Sequence, residues 1–134
     1  MLVPLTEMEV KSQIARPVNG ANLVAGEAYR IFGAAWSGEA AVQHVHVCTG
    51  DGKGWREARL LDTEHRYAWR LWECIWTPQH VGRYRLRCRA VDAAGRVQPE
   101  AQRSDRESYA ANWIVPVDVA VVHEPRAQEV DFVI

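Results

Sequence analysis

The chain has 134 residues, with sixteen basic and seventeen acidic side chains and a net charge of -1. That balance excludes a general electrostatic attraction to nucleic acid or to anionic lipid. The length suits one domain, which can bury a core without staples. No apolar run approaches the ~20 residues that a membrane-spanning helix needs, so no membrane partner is expected.

The start, MLVPLTEMEVKSQ, has no basic segment followed by an apolar one, so it does not read as a signal peptide. Taken as written, the chain is soluble and cytoplasmic, or periplasmic if it belongs to an exported parent enzyme. Six tryptophans are many for this length, and most are expected in a core or an interface. Cys48, Cys74 and Cys88 form no metal-binding spacing and suit buried, reduced thiols. A Cys74–Cys88 bridge would require their strands to oppose across a sandwich.

In chain order, Lys11–Ala15 reads as a short first strand, ended by Arg16-Pro17 and the loop Val18-Asn19-Gly20. Tyr29–Trp36 is the second, and Gly33 within it signals a bulge or a close backbone approach. After the turn Ser37-Gly38-Glu39, Val42–Thr49 alternates, with Val45 and Val47 inside and His44, His46 and Cys48 on the other face. Gly50-Asp51-Gly52-Lys53-Gly54 is a hairpin signal leading into a strand over Trp55–Leu60. A polar loop, Asp62–Arg66, follows.

Ala68–Asp92 predicts two alternating strands around a Pro/Gly-containing connection. In the first, Trp69, Leu71 and Ile75 share the expected core face, and Arg70, Trp72, Cys74 and Trp76 share the other. In the second, Tyr84, Leu86, Cys88 and Ala90 oppose a row of Arg83, Arg85, Arg87 and Arg89. Unpaired guanidinium groups are too costly to bury, so the arginine face meets water, carboxylates or a partner. Asp92-Ala93-Ala94-Gly95 is a turn and Gln98–Ser108 a long polar loop. Asn112–Val121 is the last strand, with Pro116 arguing for an edge position or a bulge. No segment has helical periodicity. About seven short strands predict an all-β, immunoglobulin-like antiparallel sandwich of the E-set type. It fills a single domain, 1–134, with its core over about 9–121 and a C-terminal tail over 122–134.

Catalytic motifs are missing: there is no GxSxG, no activated cysteine signature and no phosphate-cradling glycine pattern. His44 and His46, two apart on a strand, put two imidazoles on one face, which is half of a metal site. The ordinary reading is a pair of solvent-facing histidines, and no bound metal is expected. The arginine row reads either as an anion-binding or partner-facing surface or as a solvated face paired with Glu57, Glu73 and others across the sheet. Trp72 and Trp76, placed on the face with Arg70, suggest a contact with something outside the domain.

The succession VKSQIARPVNG, GEAYRIFGAAWSG, VQHVHVCTGDGKGWREARL, AWRLWECIWTPQHVGRYRLRCRAVDAAGRVQPE and YAAN resembles the C-terminal dimerisation domain of sulfite oxidase-type molybdenum oxidoreductases, over roughly Glu9 to Val121. The resemblance implies a homodimer and packing against a separate molybdopterin-binding domain. It also implies that the molybdenum ligand and cofactor contacts lie in that other domain, with none bound by this chain. An arginine ahead of the terminal Asn motif, here Arg106, is the substrate-pocket candidate that the family implies. Trp72, Trp76, Arg83, Arg85, Arg87, Arg89, Tyr109 and Asn112 are the interface candidates.

The expected function is therefore an accessory and dimerisation module, non-catalytic by itself. The alternative is a free-standing immunoglobulin-like module binding an anion at the arginine row or a carbohydrate on exposed tryptophans.

Overall fold

Alternation along Gly82–Asp92 sets the architecture: Leu86, Cys88, Ala90 and Asp92 are buried, while Arg83 and Arg85 are exposed. One face of such a strand must lie on a second layer. The computed structural model describes residues 10–37, 40–61, 70–99 and 114–124. Among them are nine strands: β1 (Lys11–Arg16), β2 (Asn22–Val24), β3 (Tyr29–Trp36), β4 (Val42–Cys48), β5 (Trp55–Glu57), β6 (Arg59–Leu60), β7 (Arg70–Trp76), β8 (Gly82–Asp92) and β9 (Val117–Val122). They form a four-stranded sheet, β1-β3-β7-β6, and a five-stranded sheet, β2-β9-β8-β4-β5. The expected all-β sandwich is what forms. It has more and shorter strands than about seven, and β2 pairs parallel with β9.

The core lies between the sheets. Ile14, Ile31, Ala35, Trp72 and Trp76 face inward from one, and Val45, Val47, Leu86, Cys88, Ala90, Val119 and Val121 from the other. All three cysteines are free and buried, in line with their reading as reduced thiols.

Several expectations are corrected. The faces of β7 are reversed: Trp72 and Trp76 are 0% and 2% exposed, whereas Leu71 and Ile75 are 39% and 55% exposed. The large rings fill the space between the layers, and Arg70, on their side, reaches the Val42 carbonyl at the sandwich margin, 3.5 Å away. Trp72 and Trp76 are therefore core residues, not contact residues. The Trp55–Leu60 strand is broken at buried Ala58, whose N–H bonds to the Val45 carbonyl at 2.7 Å. β5 stays with β4 while β6 crosses to β7 in the other sheet. β9 is an interior strand between β2 and β8, with Pro116 just ahead of it, where no ladder bond is lost.

Gln98, expected in a polar loop, is 2% exposed. Its N–H bonds to the Ala90 carbonyl (3.0 Å), and its side-chain carbonyl accepts from the Ser12 hydroxyl (2.6 Å) and Ala90 N–H (3.2 Å), tying β1 to β8. A buried amide is tolerated because both ends are bonded.

Asp92 closes the turn after β8. It is fully buried and accepts from the Ala94 and Arg96 N–H groups (3.0 Å each), the Arg96 guanidinium (2.9 Å) and the Ser37 hydroxyl (3.2 Å). Burial opposes its ionisation, but the Arg96 N–H and charge, with Ala94 and Ser37, outweigh burial and hold the carboxyl below its ordinary value. The folded state thus binds this proton more weakly than the unfolded chain. Its stabilisation is complete above the unfolded value of about 3.9 and is lost as pH falls through the lower folded value. Asp92→Asn is expected to cost about 2 kcal/mol at neutral pH and to flatten the acid limb of stability. Urea midpoints between neutral and strongly acid pH check this; an acid limb as steep as in the parent would assign the acid sensitivity to other carboxylates.

Candidate interaction surfaces

Two outer faces remain once the core is filled. On the five-stranded sheet, β8 presents the arginine row. Arg85 meets Asp118 of β9 with two bonds, 2.8 and 3.1 Å, in the forked geometry that a guanidinium and a carboxylate share. The hydrogen bond and charge of Arg85 hold Asp118 below its ordinary value and raise Arg85 in turn. Arg87 and Arg89 lie over the Trp55 ring, 5.1 and 4.1 Å from its centre, an attraction between cation and π face. Arg87 also points a guanidinium N–H at Cys48 Sγ, 3.5 Å away. Arg83 is exposed beside a groove shared with Gly20, Asn22 and Asp118. Most of the row is thus engaged within the domain, and Trp55 is roofed by arginine, a poor platform for a sugar ring.

Next to this row, β4 carries His44 and His46. The sequence pairs them with no third ligand, but the β4–β5 register places Glu57 opposite His46. Glu57 Oε2 is 2.6 Å from His44 Nδ1, and this bond, with the neighbouring imidazoles, keeps Glu57 below its ordinary value. Burial, then the Arg89 charge, lower the proton affinity of His46.

The outer face of the four-stranded sheet differs in kind. Phe32, Ala34 and Trp36 on β3 lie beside Leu71, Glu73 and Ile75 on β7, with Ala34 opposite Leu71 and Phe32 opposite Glu73. Arg30 spans Ile75's neighbourhood: it bonds Glu73 at 2.6 Å and lies 4.3 Å over the Phe32 ring. Glu73 stands at the centre of this otherwise apolar patch and pairs with Arg30 at 2.6 Å and with Arg59 at 3.8 Å; an alternation that turns Leu71 and Ile75 inward does not disclose it. Arg106, Tyr109 and Asn112 lie outside the described residues, as do Trp69 and the tail beyond 124.

The model of the Mo-co oxidoreductase dimerisation domain matches residues 3–122. The chain belongs to that family. The mitochondrial sulfite oxidase of Macaca fascicularis is 38% identical over 103 residues, which are 72% of this chain and 18% of that protein. The sulfite oxidase of Gallus gallus is 34% identical over 103 residues, 72% of this chain and 22% of its own length. This dimerisation domain therefore spans about a fifth of the relatives it matches. Among solved structures, the sulfane dehydrogenase SoxCD of Paracoccus pantotrophus superposes with a TM-score of 0.65 at 28% identity, over 81% of this chain and 29% of that one. Among the described residues, no helix is long and apolar enough to cross a membrane.

Proposed function

We propose that this dimerisation domain holds two copies of a sulfite oxidase-like molybdenum oxidoreductase together through the outer face of its four-stranded sheet, with the redox centre in a separate molybdopterin-binding domain. The observation that carries the reading is the patch of Phe32, Ala34, Trp36, Leu71 and Ile75, in which Ile75 alone is 55% exposed. Homodimer contacts are more apolar than the rest of a surface, and the apolar neighbours around the Glu73 ion pairs give this face that character; a twofold contact lets one patch meet its own copy. Pairing by sheet edges is the poorer route: β2 and β5 are three residues long and β6 two, which blunts three of the four edges.

The cysteines here do not fit molybdenum ligation. Cys48, Cys74 and Cys88 are only 7%, 8% and 1% exposed. Burial raises the Cys74 thiol and pushes Cys88 up to about 12, which disfavours the thiolate that a metal ligand must supply.

The pairing is tested by Leu71→Arg combined with Ile75→Arg. Both side chains are exposed within one copy, so the fold should survive. A twofold contact would bury each new cation twice, at a cost of about 3 kcal/mol or more, roughly a hundredfold in affinity. Sedimentation equilibrium is expected to show a dimer for the parent and a monomer for the double variant. Unchanged association in the variant would move the contact to another face.

A further inference from the structure

Three metal-binding side chains stand together on the outer face of the five-stranded sheet, away from the pairing surface. The rings of His44 and His46 are stacked, with centroids 5.9 Å apart and planes 8° from parallel. Glu57 reaches them across the β4–β5 hairpin, and one donor atom from each of the three lies within 4.8 Å of the others.

We propose that His44, His46 and Glu57 form a site for one divalent transition-metal ion of the zinc class. Two imidazoles and a carboxylate are a donor set that zinc accepts while keeping a fourth position for water or an outside ligand. Nitrogen-rich sets of this kind favour the later first-row ions over magnesium or calcium. A second observation points the same way: His46 Nδ1 is buried and has no hydrogen-bond partner, an arrangement that folded proteins rarely leave unused. The site is open from one side, since the His44 and Glu57 side chains are 42% and 59% exposed.

The His44–Glu57 bond of 2.6 Å is the resting state that the ion displaces. Glu57 then supplies the one negative charge. Arg89 flanks His46 from β8, and its cation opposes the ion, which sets the affinity at a moderate level. Removing that cation should therefore tighten binding, a sign that a structural histidine pair would not produce.

The test adds zinc chloride to the chelator-treated chain and reads the heat of binding and the imidazole 15N shifts. One equivalent is expected, perturbing His44 and His46. His44→Gln and Glu57→Gln should each weaken binding at least tenfold, on the order of what loss of a metal-site partner costs, and Arg89→Gln should strengthen it several-fold by about the repulsion of one charge at short range. Both ligand substitutions are at exposed side chains, so circular dichroism is expected to show an unchanged fold. The thiols are buried and do not compete. No saturable heat, parent-like affinity in both ligand variants, or shifts confined to other histidines would overturn the site. None of these results bears on the pairing surface, which is read separately by the mass of the chain.

Discussion

Replacing Gly33 with alanine is expected to destabilise the sandwich by about 3 kcal/mol, the upper range for overpacking a filled site. Gly33 lies in the middle of β3, opposite Ile14 of β1, where the β1–β3 register shifts between Ile14 and Arg16. Its backbone is extended, so conformational freedom is not the reason for glycine. A Cβ there would collide with the Gln13 carbonyl and sit 2.8 Å from Trp72 Cζ2. The carbonyl is backbone and cannot swing away, so β1 must lift from β3. Urea unfolding followed by circular dichroism measures the loss. A Gly33→Ala variant as stable as the parent would show that β1 is not held against β3 as described.

Trp72→Ala should be costlier still, about 4 kcal/mol, because it empties the largest fully buried side chain among the described residues. Trp72→Phe separates volume from hydrogen bonding. The Trp72 indole nitrogen is buried with no partner, so removing it recovers part of the desolvation penalty while the ring that stays keeps much of the packing. Phenylalanine at 72 should therefore cost about 1.5 kcal/mol or less. It also removes Cζ2 from the path of a methyl at position 33, yet the collision with Gln13 remains. The double variant Gly33→Ala/Trp72→Phe should stay nearly as unstable as Gly33→Ala alone. Full recovery would identify Trp72, not β1, as the obstacle.

Where one strand carries a continuous two-residue alternation, the sequence was enough. Tyr29–Trp36 has the same limits in both readings, and Leu86, Cys88 and Ala90 turn inward as their spacing predicts. The Gly50–Gly54 hairpin brings Cys48 opposite Trp55. In β7 both faces are apolar, so periodicity leaves the choice open. Volume decides it, because tryptophan rings fill an inter-sheet gap that Leu71 and Ile75 cannot. Asn22–Val24 was invisible because three residues have no period; it becomes a strand only through its parallel partner, β9. The break at Ala58 arises where the chain changes sheets, which no local pattern encodes.

The candidate site was half legible. His44 and His46 share a face by spacing alone, whereas Glu57 joins them through hairpin register. That signal was available: counting outward from the Gly50–Gly54 turn pairs 48 with 55 and hence 46 with 57.

Cross-linking through a single engineered thiol tests the central claim most directly, since the buried native thiols leave an introduced one as the reactive group. Ile75→Cys puts it on the outer face of the four-stranded sheet, next to the end of β7, and Arg83→Cys puts it on the outer face of the other sheet. Under mild oxidation the account predicts a covalent dimer from Ile75→Cys and little from Arg83→Cys. Efficient bridging at 83 with none at 75 would contradict it.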